Sequence, residues 1–288
     1  MKKLLSSIVV AGLLITTSYS NDIKTEDIKK ESIENAKNKA HNKKLVTEAI
    51  RALQYTQDAY IYLNAKKTDK AIQSLKKAIG ELTVILNKPN APYLLPVNIT
   101  IEANEYLGSI KNISKQITDA KIALAKHQLP ITRTILNSLK SEIDIKSINI
   151  PLATYPDAIK LAIRYINKNK IKEAKDVIAM ALNTLVTTDT IIPIPLLKAN
   201  DLVLEASKIS NKDKKQTLHY LNEAKKQLKI AELLGYTSSS DTTYKMLKEN
   251  IENIENKLNH NKNTNNLFND LKSKLKEFKE KATSIIAK

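Results

Sequence analysis

The 288-residue chain sets 47 lysines and arginines against 30 acidic residues, a formal charge of +17, and contains no cysteine, no tryptophan and four glycines. The missing cysteine excludes disulfide, thiolate and thiol-redox chemistry. The charge raises a nucleic-acid or acidic-membrane partner, yet only Arg51, Arg133 and Arg164 are arginines and only Phe268 and Phe278 are phenylalanines. Phosphate and base readers use the planar arginine fork and interleaved aromatics, so no nucleic-acid partner is expected and the lysines, mixed with Glu and Asp along nearly every helix, read as solvated faces.

Lys2 and Lys3 precede a nearly unbroken apolar run from Leu4 to Ile15, and Ser18 and Ser20 place small residues just before Asn21. That is the layout of a cleavable secretory signal over residues 1–20. Its dozen or so apolar residues fall short of the about twenty that span a bilayer, and no later segment is long and apolar enough to span one. A periplasmic, exported protein is expected. Cleavage leaves 268 residues at a charge of +15, enough chain for a real core without staples.

Apolar residues then recur at helical spacing almost throughout. One N-terminal helix is predicted from about Thr25 to Ala65, its first half lying in the polar segment 21–44 and its stripe formed by Leu45, Ala49, Ile50, Leu53, Ala59, Tyr60 and Leu63. A second runs from Thr68 to Leu86 and is stopped by the loop Asn87–Pro96, whose three prolines lack amide donors and bias their predecessors away from helix. A long helix follows from about Ile99 to His127, and Pro130 opens a shorter one to Lys140. Ile143 to Pro151 breaks the period and reads as an extended connector. Pro156 suits a helix start reaching about Asn167, followed by a helix over Ile171–Val186. A second extended run ends at Ile191-Ile192-Pro193-Ile194-Pro195 and is able to pair with the first. Helices over Leu196–Ser210 and Lys212–Leu234 come next, the latter ended by Gly235 as a left-handed stop. Asp241 caps a helix to about Leu258, and after the polar hinge Asn259–Asn266 a last amphipathic helix, Leu267 to Ala287, carries Leu271, Leu275, Phe278 and Ile285.

Tyr62-Leu63-Asn64 aligns with Tyr165-Ile166-Asn167, and Ala71, Ala78, Ile79 and Leu82 then fall on Ala174, Ala181, Leu182 and Leu185. Two related helical hairpins are implied, without the 34-residue period of a tetratricopeptide solenoid. The expected fold is all-α: a compact bundle of about ten antiparallel helices built on these hairpins, with two short proline-rich extended connectors. Its core runs over 45–236, and a C-terminal helical hairpin over 237–288.

The stretches Ser141-Glu142-Ile143-Asp144-Ile145, Ile150-Pro151-Leu152-Ala153-Thr154-Tyr155-Pro156, Ala181-Leu182-Asn183-Thr184-Leu185-Val186, Ile192-Pro193-Ile194-Pro195-Leu196-Leu197-Lys198-Ala199 and Gln227-Leu228-Lys229-Ile230-Ala231-Glu232-Leu233-Leu234-Gly235-Tyr236 together resemble the YfdX family of bacterial exported proteins. The resemblance runs from about Leu45 to the final helix and is strongest between Ser141 and Tyr236. It implies a helical, exported, often oligomeric protein associated with acid, heat or other envelope stress, and it carries over no catalytic residues.

Chemistry must then be sought in the residues themselves. His41, His127, His219 and His260 lie far apart with no pair at helix-turn spacing, so no metal site is expected, and no nucleophile elbow, phosphate-cradling loop or dinucleotide fingerprint occurs. No cofactor is implied. Glu142 and Asp144, beside Tyr155, are the candidate binding residues: paired carboxylates near a phenol suit cation binding or acid-base work, although turn-forming and capping uses are commoner. The leading reading is a non-enzymatic envelope protein that forms a homo-oligomer and binds protein clients or small molecules. The alternatives are an enzyme using Glu142, Asp144 and Tyr155, or a lysine-rich binder of polyanions or acidic lipid. Mass spectrometry of the exported protein is expected to give Asn21 as its first residue; a chain still beginning at Met1 would sink the export reading.

Overall fold

The computed structural model of the chain describes residues 24–38, 46–238, 240–282 and 285–287, with side chains to 277. The secretory signal expected over 1–20, His41 and the side chains of Phe278 and Ile285 lie outside the described residues. In chain order the elements are α1 (24–38), α2 (Thr47–Asn64), α3 (Thr68–Leu86), β1 (Leu94–Asn104), α4 (Ile110–Ala125), α5 (Leu129–Ser138), β2 (Glu142–Pro151), α6 (Tyr155–Asn167), α7 (Ile171–Asn183), β3 (Val186–Pro193), α8 (Ile194–Ile209), α9 (Lys214–Leu233), α10 (Thr242–Asn259), α11 (Asn265–Ala282) and β4 (Ile285–Ala287). The protein is mostly helical, and its strands form one small sheet in the order β1-β2-β3-β4.

The chain divides into two units. The repeat unit takes its described residues from 46–101, 145–190 and 285–287, the C-terminal unit from 24–38, 102–144 and 191–282. In the repeat unit the two related hairpins are α2–α3 and α6–α7, and α3 also packs on α6 and α2 on α7, closing a ring of four helices. Alanine fills the places where the helices meet: Ala49, Ala52, Ala59, Ala71, Ala78, Ala162 and Ala174 are wholly buried, with Leu75, Leu82, Ile159 and Ile178 between them. Short side chains let the axes approach within the about 8–10 Å of close helix packing. The hairpin turns repeat as well. Lys66 and Asn169 occupy equivalent positions with φ of 58° and 57°, and in each the next amide closes the helix end, Lys67 N–H donating to Tyr62 O at 2.8 Å and Lys170 N–H to Tyr165 O at 2.9 Å. This is the left-handed helix stop, which satisfies carbonyls that the last turn would otherwise leave open.

In the C-terminal unit α8–α9 packs against α10–α11, α8 on α11 and α9 on α10, and α4 lies on α9. Its core comprises Leu202, Val203, Leu221, Leu228, Leu247, Ile251, Ile254, Phe268 and Leu271, with Ile28 of α1 packed against it. Asp213 and Asp241 cap α9 and α10, accepting from the amides of Gln216 and Tyr244, each at 2.9 Å. Gly235 has φ 84°, and Tyr236 N–H returns to Ala231 O at 3.0 Å, the expected left-handed stop between α9 and α10.

Several expected boundaries are corrected. The helix expected over Thr25–Ala65 is described as α1 and α2, in different units. The helix expected from Ile99 begins only at Ile110, because Val97, Ile99 and Ile101 alternate with Asn98, Thr100 and Glu102, a two-residue period of β-branched side chains that belongs to a strand. Both extended connectors are strands and lie side by side as β2 and β3, where Asn149 Nδ2 donates to Val186 O at 3.0 Å. Ile194 and Pro195 are not extended: they open α8, since a proline in the first turn forfeits no intrahelical bond. The last helix stops at Ala282, and Ile285–Ala287 pair antiparallel with Thr188–Thr190 of β3.

A side chain with Cβ at a left-handed position is strained by about 1–2 kcal/mol, partly offset by the about 0.4–1 kcal/mol of unfolded-chain freedom that glycine adds. Lys66→Gly is therefore expected to stabilise the protein by about 0.5–1 kcal/mol in urea unfolding, and Asn169→Gly by less, because asparagine tolerates this conformation.

Candidate functional site

Glu142 opens β2 in the C-terminal unit and is 7 % exposed. It follows Ser141, whose carbonyl accepts from the amide of Ile194 at 2.9 Å and whose own N–H donates to the hydroxyl of Tyr236 at 3.0 Å. That hydroxyl donates onward to Glu142 Oε2 at 2.8 Å, and Lys140 Nζ stands 3.4 Å from Glu142 Oε1. Burial, and then the adjoining carboxylate, push the Tyr236 phenol well above its ordinary range, against the pull of the Ser141 amide. The phenol stays protonated and acts as a fixed donor. Both oxygens of Glu142 are thus engaged, Oε2 holding the start of β2 to the turn after α9 and Oε1 pairing locally with Lys140. Asp144, half-buried, lies two residues along β2 and so on the same strand face.

Tyr155 belongs to the other unit. It is 1 % exposed within the four-helix core, where burial pushes its phenol up to about 12, the Thr56 hydroxyl acting in the opposite sense. A phenol so placed is neutral at any physiological pH and serves as a large core side chain. The histidines hold local roles: His127 occupies the left-handed turn between α4 and α5, His219 Nε2 pairs with Thr25 Oγ1 at 3.0 Å, and His260 Nδ1 meets Asn256 O at 2.8 Å beyond α10. Among the described residues no group of three or more His, Asp or Glu is arranged to hold a metal ion.

A groove of about 900 Å³ lies within the C-terminal unit, a size typical of small-molecule sites. His219, Asn222, Glu223, Lys226 and Lys229 line it from α9 at three- and four-residue steps, Lys225, Leu228 and Glu232 from the same helix, Tyr244, Lys245 and Lys248 from α10, and Ile110 from α4. Leu228 and Tyr244 are buried members of the unit's core. Five lysines thus face two glutamates, and both glutamates are engaged. Burial would raise Glu223, but hydrogen bonds from Lys226 and Lys29 hold it below the usual carboxylate range. Glu232 is held low by Lys229 at 2.9 Å and accepts from the Tyr244 hydroxyl at 2.8 Å. Lys225 pairs with Glu255 at 2.6 Å. Lys245 and Lys248 make no close ion pair among the described residues, and the charge of Lys248 helps to hold Glu232 low.

Sequence reasoning missed this groove. The lysines of α9 and α10 are ordinary in each helix alone, and their convergence follows from the Gly235 turn that folds one helix back on the other. That turn was the available signal.

Residues 52–191 match the family model described as YfdX protein. That segment of the chain belongs to the YfdX family. It spans both hairpins of the repeat unit from Ala52 onward, together with β1, α4, α5, β2 and most of β3. The strongest resemblance read from the sequence, over Ser141–Tyr236, thus extends past the matched YfdX segment by the stretch from Ile192. Among solved structures, Salmonella Typhi YfdX is similar at 17 % identity and a TM-score of 0.38, over 54 % of this chain and 96 % of that one. No curated protein matches.

Removing the Tyr236 hydroxyl leaves a buried carboxylate oxygen and an amide without their partner, and a hydrogen bond to a charged group contributes about 1.5–3 kcal/mol. Tyr236→Phe and Glu142→Ala are each expected to lower unfolding free energy by about that amount in thermal or urea melts. In the double variant the losses should not add, because both delete one bond.

Proposed function

We propose that the protein is a non-enzymatic, exported helical protein of the cell envelope, stress-associated and self-assembling like the YfdX proteins it resembles, and that it binds small molecules in the groove of the C-terminal unit. The observation that carries the reading is that groove: about 900 Å³, with half-buried Ile110 and lysine stems over the buried Leu228 and Tyr244, and rimmed by charged side chains. Concave sites with an apolar floor and a few polar groups at the rim are where small ligands settle. The enzyme reading has less support. Glu142 is committed to Tyr236 and Lys140, and Tyr155 is a core residue of the repeat unit. The lysine-rich alternative gains from one observation, the gathering of five lysines at a single groove.

Native mass spectrometry of the full mature chain, purified from the envelope fraction of its own cells, tests the reading. A small molecule retained on the folded protein and released on denaturation is the expected result. If instead Glu142→Ala abolished a measurable turnover while the melting temperature stayed put, an enzyme would replace the binding protein.

A further inference from the structure

The cations of the groove are not equivalent. Those of α9 are paired internally: Lys225 with Glu255, Lys226 with Glu223 and Lys229 with Glu232. Lys245 and Lys248 of α10 are exposed and make no close ion pair among the described residues, although the charge of Lys248 helps to hold the Glu232 carboxyl low. They stand three residues apart, so both project from one face of the helix, the face on which Tyr244 sits four residues from Lys248. Like charges at this spacing repel. Beside them the groove offers the apolar surface of half-buried Ile110 and of the methylene stems of the lysines themselves, above the buried Leu228 and Tyr244. The Tyr244 hydroxyl is occupied by Glu232, which turns the polar end of that residue away from service as a ligand group.

Two neighbouring cations without a close ion pair, next to apolar surface, are complementary to one kind of molecule. We propose that the groove binds a small amphipathic anion, a carboxylate, sulfonate or phosphate monoester on an apolar body, with its head at Lys245 and Lys248 and its body along Ile110 and the methylene stems of the α9 lysines. The head relieves the repulsion between the two ammonium groups, and the body covers apolar surface otherwise left to water. A neutral molecule gains only the second effect. A cationic one meets the excess of lysine. Every lining residue but Ile110 lies beyond the segment matched to YfdX, so the ligand class is a property of this chain's own C-terminal helices.

The inference rests on the small-molecule reading, and titration calorimetry of the full mature chain separates the two. The probes are sodium dodecanoate, dodecyl maltoside and dodecyltrimethylammonium, each below its micelle concentration. Dodecanoate is expected to bind at one site, to raise the melting temperature and to weaken as salt is added. Lys245→Gln/Lys248→Gln should weaken it by about tenfold or more, as the loss of charge-assisted contacts implies, with an unchanged circular dichroism spectrum. Lys76→Gln/Lys172→Gln, which removes the same charge from helices of the repeat unit, should leave binding unaltered. Dodecyl maltoside binding as tightly as dodecanoate, or indifference to the α10 double substitution, overturns the charge assignment while the small-molecule reading stands. If no probe of any charge binds, both fall. Flotation with phosphatidylglycerol vesicles closes the remaining route: capture by the vesicles without dodecanoate binding identifies a membrane surface and overturns the proposal.

Discussion

Close approach of helices through alanine is the constraint on which the repeat unit depends. With no cysteine and no metal-binding cluster among the described residues, packing must hold four helices together, and packing gains most where few atoms are wasted on gaps. Ala49, Ala52 and Ala59 on α2 meet Ala71 and Ala78 on α3, and Ala162 on α6 and Ala174 on α7 do the same in the second hairpin. A larger side chain at any of these positions would push two axes apart and loosen every contact along them, because close-packed interiors transmit a local excess of volume as backbone strain. Leucine and isoleucine then supply the burial that alanine cannot, from positions between the seams.

The same logic explains why helices were legible in the sequence and one strand was not. Amphipathic helices announce themselves by a three-to-four residue period, and α2, α3, α6, α7 and α10 follow that period closely. In β1 the alternating run from Val97 to Glu102 is six residues long, short enough for a helical period to be laid over it from the neighbouring α4. β2 and β3 were recognisable as extended because prolines and isoleucines break the helical count there. Their association into a sheet was only partly legible, since strand order depends on residues far apart in the chain. Of the left-handed turns, Gly235 was visible by its residue type. Lys66, Asn90, His127, Asn169 and Asn261 were not, because lysine carries no preference for that conformation and the mild one of asparagine and histidine does not single out a position.

The candidate residues divide in a similar way. Glu142 was singled out for its carboxylate and found bound to a phenol nearly a hundred residues away, a partnership that no local pattern encodes. Tyr155 was singled out for its neighbours in sequence and found in the other unit's core. Lysines read as scattered when counted along the chain, and as gathered once two helices are folded together. Chemistry carried by single residues was legible; chemistry made by adjacency was not.

The division of the chain into units has a consequence for how the protein is made. The C-terminal unit draws on three separate stretches of the chain and the repeat unit on three others, so neither can be cut out as a contiguous fragment. Lys29 of α1 pairs with Glu223, and Thr25 with His219, each across 194 residues of sequence. Contacts so remote carry the full entropy of closing a long loop and form late. The beginning of the chain must therefore wait for α9 before it has a place to dock, and an interrupted synthesis leaves α1 without those two partners. Made before every other described helix, α1 is among the last to be finished.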